Sequence, residues 1–352
     1  MTRVTLKGLT RHWPGAPAPA LDRLSLDLAP GTLTALLGPS GCGKTTVLRM
    51  IAGLLAPTSG DILLDGRSIL HDPPERRGAV MVFQNHLLFA HMTVAENVGF
   101  GLRMRGLPRA AIAARVAGML DRVKLSDLGA RRPADLSGGQ QARAALARAL
   151  ILRPRVLLLD EPLASLDAHL RAEMRDLIRT VQKDLALTTL IVTHDQEEAV
   201  DLGNRIALLL DGRLRQLDAP DAFYRRPADA AVAAFFGARN LVAGSSAGGR
   251  FDSPLGPLIL PPGARTGPGL LTFRPESVRI AAEPAPAGAV NALQARLREL
   301  RFLGTQTRLV LAVGPVRIEA LLPPDMVRGL SPGDSVTLAL PPESLWVMPP
   351  AG

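Results

Sequence analysis

Short apolar runs punctuate the first two-thirds of the chain: VTL at 4–6, LTALL at 33–37, DILL at 61–64, AVMVF at 79–83, VLLLD at 156–160, TLIVT at 189–193 and IALLL at 206–210. Most are continuous rather than alternating, which predicts strands buried on both faces of a sheet. Between 93 and 150 the pattern changes to helix. There TVAE at 93–96 sets Glu96 three residues after Thr93, a capping box, and AAIAARVAGMLDRV carries apolar residues at helical spacing. The predicted architecture is an α/β core over residues 1–240 with an inserted helical lobe at about 93–150. Asp211 and Gly212, between IALLL and RLRQL, predict a hairpin turn that closes it.

After about residue 240 the texture shifts. Prolines and glycines crowd between the short runs LLTF, TRLVLAV, RIEALL and SVTLAL, which predicts a separate small all-β domain over 241–352, an antiparallel barrel or sandwich.

Composition narrows the class. At 352 residues, 47% of them hydrophobic, the chain can bury two cores. No run of 18 or more residues is apolar without a charge, and the first residues lack the basic-then-apolar layout of a signal peptide. The expectation is a soluble, intracellular chain that meets a membrane only through a partner. The one cysteine, Cys42, allows no internal disulfide and fits a reducing compartment. The net charge of +9 is scattered arginine with no basic run and only three Tyr and Trp residues, so no nucleic-acid partner is expected. Lysine is rare, and one of the few, Lys44, sits where a compact point charge is wanted.

That lysine belongs to GPSGCGKT, Gly38 to Thr45, which fits the P-loop pattern between the strand LTALL and the helical run TVLRMIAGLL. Gly38, Pro39, Ser40, Gly41, Cys42, Gly43, Lys44, Thr45 and the following Thr46 are candidate nucleotide ligands. The glycines let backbone N–H groups converge on the β-phosphate, Lys44 can reach the β and γ oxygens, and the Thr45 hydroxyl can ligate Mg²⁺. VLLLDEP delivers Asp160 and Glu161 to the end of a buried strand, suited to a second Mg²⁺ ligand followed by a general base for water. His194 after TLIVT and Gln84 after AVMVF stand at two more strand ends. In open α/β sheets, ligands lie outside the carboxyl ends of the strands. A second glycine-bearing helix start, LSGGQ at 136–140, also suits an anion, although the chain already holds a phosphate cradle.

With GPSGCGKT, LSGGQ, LLLDEP and THD in this order, the first 240 residues closely resemble the nucleotide-binding subunits of ATP-binding-cassette transporters. The resemblance implies ATP and Mg²⁺ as cofactors and a head-to-tail homodimer. In that dimer Ser137, Gly138, Gly139 and Gln140 of one copy cover the ATP held by the P-loop of the other, and hydrolysis releases the pair. It also implies Gln84 as a sensor of Mg²⁺ and the attacking water, Asp160 as metal ligand and Glu161 as catalytic base. His194 becomes the switch histidine, Asp167 the D-loop aspartate, and Trp13 takes the place of an adenine-stacking tyrosine. In place of the usual LSNLDA, Ala164 lacks a hydroxyl that could hydrogen-bond across the dimer interface and Ser165 stands in for asparagine, while Ala142 and Ala90 replace a glutamine and a proline away from the phosphates.

Leu87, Leu88 and Phe89 fall in the region that, by the same resemblance, forms a groove for a coupling helix of the membrane protein. FFGARNLVAG at 235–244 and FRPESVRI at 273–280 are similar to the transport-associated OB-like domains of bacterial importer ATPases for polyamines, ferric iron, sulfate and sugars. GARN differs from the stretch usual in the sugar branch, which leaves polyamine first and ferric iron, sulfate or another small ion as alternatives. Implied partners are integral-membrane permease subunits and, indirectly, a periplasmic or lipid-anchored solute-binding protein. The implied location is the cytoplasmic face of the inner membrane. DNA-repair ATPases share the signature but interrupt the core with coiled coils or zinc-binding cysteines, absent here. Phe251, Phe273, Phe302 and Trp346 are few for a single-strand binder.

Overall fold

The structure, a computed structural model, describes residues 1–85, 87–281 and 290–350. Two compact units divide it, Met1–Pro220 and Asp221–Gly352. The first unit runs β1 (Val4–Arg11), β2 (Leu21–Leu28), β3 (Leu33–Leu37), α1 (Lys44–Ala52), β4 (Ser59–Leu64), β5 (Arg67–Ser68) and β6 (Ala79–Val82). The helices α2 (Val94–Met104), α3 (Arg109–Arg122) and α4 (Gly138–Leu150) follow. It then continues through β7 (Val156–Asp160), α5 (Ala168–Leu185), β8 (Thr188–Thr193), α6 (Gln196–Leu202), β9 (Arg205–Leu210) and β10 (Arg213–Asp218).

The central sheet has the order β10-β9-β3-β8-β7-β6. Its strands β6, β7, β8, β3 and β9 are parallel, and β10 turns back antiparallel on β9. Every residue of β3, β7 and β8 is buried, as expected of strands covered on both faces. Each fully buried leucine in them contributes about 1.5–3 kcal/mol. The Asp-Gly pair does make the hairpin, with Asp211 at φ 50 and Gly212 at φ 73. The runs VTL and DILL, however, lie outside this sheet. They form β1 and β4 of a separate antiparallel sheet, β2-β1-β4-β5, whose packed side shares a core with α1 and the central strands.

Register decides where function can sit. Leu37 pairs with Thr193, Asp160 with Val192, and Val82 with Leu159, so β3, β8, β7 and β6 end nearly level. Residues that follow these strands, from Gly38, His194, Glu161 and Phe83 onward, therefore leave one edge of the sheet. The helical lobe is inserted between β6 and β7. Its first helix is fixed by the expected capping box: Thr93 Oγ1 accepts from the Glu96 N–H at 3.2 Å and Glu96 Oε2 from the Thr93 N–H at 2.8 Å.

Beginning within the first turn of α7 (Pro220–Arg225), the second unit continues with α8 (Ala230–Phe235), β11 (Asn240–Ala247), β12 (Arg250–Ser253), β13 (Gly256–Ile259), β14 (Gly267–Phe273), β15 (Arg279–Ala281), β16 (Ala292–Phe302), β17 (Thr307–Val313), β18 (Val316–Leu322), β19 (Ser335–Ala339) and β20 (Trp346–Met348). Two five-stranded antiparallel sheets, β13-β12-β11-β14-β20 and β15-β19-β16-β17-β18, close over one apolar core, an all-β unit of the OB-like class. The division between units falls ahead of residue 240 because the β unit holds the two short helices. Arg274 donates to the carbonyls of Phe223 at 3.0 Å, Tyr224 at 2.9 Å and Phe236 at 2.6 Å, and the Trp346 indole donates to Pro227 O at 2.9 Å. Phe251 and Phe273 lie inside the core at 0% and 1% exposure, so neither ring face is free for a stacked base.

Candidate active site

A cleft of about 410 Å³ opens at the level strand ends, lined by Trp13, Ala20, Ser40, Gly41, Gly43, Lys44, Thr45, Thr46 and Glu161. Its floor is the loop from Gly38 to Gly43. Two glycines there are demanded by close approach. A Cβ on Gly38 would stand 2.2 Å from Leu209 O, and one on Gly43, at φ 103, would stand 2.6 Å from Ala20 O. Gly43 caps α1 without any side-chain hydrogen bond, unlike the caps of α2, α4, α5 and α6. The first N–H groups of α1 are thus left for an anion.

Lys44 is buried at 5% exposure, and its ammonium donates to the carbonyls of Gly38 and Pro39, both at 2.8 Å. These bonds hold a compact charge against the inner side of the loop. Cys42 turns inward instead of lining the cleft. Its side chain is 5% exposed, a Cβ on Gly38 would lie 2.7 Å from its sulfur, and burial pushes its thiol pKa up.

Thr45 Oγ1 donates to Asp160 Oδ1 at 3.0 Å, linking the start of α1 to the end of β7. Asp160 is 7% exposed, and burial raises its carboxyl above the usual range against the opposing pull of the Thr45 hydrogen bond. The next residue, Glu161, adopts φ 44, a left-handed conformation that costs a non-glycine residue about 1–2 kcal/mol. Its N–H donates to Val192 O at 3.0 Å and its carbonyl accepts from the Ala164 N–H at 3.2 Å, which pins the turn. The carboxylate then faces the neighbouring strand end, with Glu161 Oε2 3.2 Å from His194 Nδ1.

Trp13 lies at the outer wall, 42% exposed, with the Arg11 guanidinium 4.1 Å from its ring centroid. Gln84 occupies an exposed turn just beyond β6 and does not line the cleft. Ser137, Gly138, Gly139 and Gln140 lie outside it as well. Ser137 caps α4 in a reciprocal pair with Gln140, Ser137 Oγ accepting at 3.3 Å and Gln140 Oε1 at 3.0 Å. Ser137 and Gly138 are exposed, while Gly139 packs against Leu170. Asp167 caps α5 through the Leu170 N–H at 2.9 Å. Of Leu87, Leu88 and Phe89, only Leu87 is strongly exposed, at 55%. Phe89 packs tilted against Phe100, ring centroids 4.8 Å apart, beneath the Arg148 guanidinium.

Local sequence reasoning missed several residues. Ala20 reaches the cleft through the pairing of β1 with β2, which no local pattern announces, and Arg11 covers the Trp13 ring at its wall. Glu198 and Thr193 form a buried hydrogen bond behind His194, signalled in the sequence only by an acidic residue at a buried helical position.

Comparison with known proteins shows the family. The family described as ABC transporter matches residues 21–164, and the TOBE domain matches 271–348. The spermidine/putrescine import ATP-binding protein PotA of Ruegeria pomeroyi is 40% identical over 356 residues, covering 98% of this chain and 96% of that protein. Its namesake from Frankia alni is 43% identical over 356 residues, covering 95% and 76%. Among solved structures, cbiO1 from Clostridium perfringens, described as part of the ABC transporter complex cbiONQ, superposes with a TM-score of 0.59 at 30% identity. That match covers 63% of this chain and 90% of that one. Fold and cleft together define a nucleotide-hydrolysing P-loop ATPase. The chain belongs to the ABC transporter family as an ATP-binding subunit, an ATPase coupled to transport that works with membrane permease partners. Among the described residues, no helix is long and apolar enough to cross a membrane.

Proposed function

We propose that this chain is the ATP-hydrolysing subunit of a polyamine importer. It works at the cytoplasmic face of the inner membrane on permease subunits fed by a periplasmic or lipid-anchored solute-binding protein. The cargo reading is supported by likeness over nearly the whole chain to spermidine/putrescine import subunits at 40–43% identity. The observation that carries the catalytic reading is that Thr45 and Glu161, which both line the cleft, each hold a polar partner at a strand end, Asp160 at 3.0 Å and His194 at 3.2 Å.

The first pair fits Mg²⁺. Both groups are hard oxygen donors held side by side, the donor chemistry that ion prefers. Thr45 and Asp160 would hold the ion, with Gln84 approaching from the end of β6. Bound there, Mg²⁺ supplies charge neutralisation at the phosphate oxygens. Lys44 and the N–H groups of the loop bind and orient the phosphates, and Trp13 stacks on the adenine. Glu161 accepts the proton of the attacking water at its carboxylate, and His194 contacts the γ-phosphate from the facing side. A head-to-tail homodimer completes the site, since the exposed N-terminus of α4 at Ser137 and Gly138 lies outside its own chain's cleft and suits the γ-phosphate of the other. Asp167 sits at the same interface. Leu87, with Leu88 and Phe89 behind it, supports docking of the permease.

Glu161→Gln tests the catalytic reading. Turnover should fall by about 10²–10⁴, while ATP stays bound and light scattering reports a dimer. Near wild-type turnover, or a monomer at saturating ATP, would overturn it.

A further inference from the structure

We infer that Glu198 is a positioning residue for His194, acting through the Thr193 hydroxyl to fix the loop that presents the imidazole to Glu161. The inference rests on the proposed role of His194 in ATP hydrolysis. His194 has little of its own to hold it: its side chain is 55% exposed, and its one side-chain partner among the described residues is Glu161. Its two backbone neighbours, by contrast, are tied tightly. Thr193 Oγ1 accepts from the Asp195 N–H at 3.0 Å, bridging across His194, and donates to Glu198 Oε2 at 2.7 Å. Asp195 Oδ1 in turn accepts from the N–H groups of Glu197 at 2.8 Å and Glu198 at 3.3 Å. These bonds among Thr193, Asp195 and Glu198 close a ring, and His194 lies in the chain between its first two members.

Glu198 is not needed to cap α6, because Asp195 already does so. At 6% exposure it is an expensive residue to place in an interior, where an apolar side chain would pack without desolvation cost. Burial raises its carboxyl above the usual range, with Asp195 adding to the rise and Arg171 and His194 opposing it. The side chain's hydrogen bond goes to the one hydroxyl that precedes the imidazole, 2% exposed and equally fixed. A displacement of about 1 Å in a catalytic group can cost on the order of 10²-fold in rate, so anchoring this loop bears directly on turnover.

The test compares Glu198→Ala, Glu198→Gln, Thr193→Val, Thr193→Ser and His194→Ala in the full chain. The readouts are ATP turnover, ATP affinity by calorimetry and thermal midpoint, with turnover assayed well below every midpoint. Glu198→Ala and Thr193→Val should each lower kcat by about 10- to 100-fold with ATP affinity within about two-fold of wild type. Glu198→Gln and Thr193→Ser, which keep an acceptor and a hydroxyl, should restore at least about a third of wild-type kcat. The Thr193→Val/Glu198→Ala double variant should be no worse than the poorer single variant by more than about two-fold, as members of one linked unit behave. Equal loss in the Gln and Ala variants, or additive losses in the double variant, would overturn the inference. If His194→Ala lowers turnover but Glu198→Ala does not, the inference fails alone. If His194→Ala leaves turnover intact, the role proposed for His194 fails and the inference falls with it.

Discussion

Replacing Trp13 by alanine tests the proposed contact with the base apart from those proposed for the phosphates. The indole stands at the outer wall of the cleft, and the Arg11 guanidinium covers one face 4.1 Å from the centroid. A single face therefore remains for adenine, and one base stacked on one aromatic ring contributes about 1–3 kcal/mol. At 1.4 kcal/mol per tenfold, Trp13→Ala should weaken ATP binding by about 5- to 150-fold. Because the base is held equally in ground and transition states, kcat at saturating ATP should stay within about two-fold. Trp13→Tyr should recover most of the affinity. Calorimetry on the substituted chains gives the dissociation constants. In a Trp346→Phe background, where Trp13 is the only tryptophan left, ATP should also quench its emission. Unchanged affinity in Trp13→Ala, or a fall in kcat with affinity preserved, would refute adenine stacking at this wall.

Two further outcomes follow from burial around the phosphate loop. The native state holds the Asp160 proton more tightly than the unfolded chain does, so ionised Asp160 lowers stability at pH above its raised pKa, and that cost fades as pH falls through it. Asp160→Asn should thus melt higher than wild type at pH 7 without nucleotide, with the gap narrowing on acidification, while Mg²⁺-dependent turnover drops by about 10² or more; a lower midpoint at pH 7, or a gap widening in acid, would contradict this. The Cys42 thiol, buried with its pKa raised, should react with iodoacetamide at pH 8 at least about tenfold more slowly than an exposed thiol. Once modified it should block ATP binding by displacing the loop at Gly38, so fast labelling with ATP binding intact would be the contrary result.

The parts of the site legible in the sequence are those whose chemistry is local. A strand buried on both faces is mostly apolar, so VLLLD, TLIVT and LTALL announce themselves and carry their tip residues with them. The loop Gly38–Thr45 and the capping pairs Thr93–Glu96 and Ser137–Gln140 are likewise short-range devices. Pairing over long separations is not local. Nothing in LDRLSLDL marks β2 as the partner of β1, and so neither the antiparallel sheet nor the place of Ala20 in the cleft is legible in the sequence. The same holds for α7 and α8, whose attachment to the β unit depends on Arg274 some forty to fifty residues away. Glu198 reads as an ordinary acidic residue of a first helical turn, and only the fold reveals that it faces Thr193.

The central claim is that ATP hydrolysis at Glu161 drives polyamine import. Deleting the gene in its host and measuring uptake of labelled spermidine and putrescine beside ferric iron and sulfate tests it most directly, with either wild type or Glu161→Gln restored. The account predicts that polyamine uptake alone is lost, that wild type restores it, and that Glu161→Gln does not. Polyamine uptake unaffected by the deletion, or restored equally by Glu161→Gln, would contradict it.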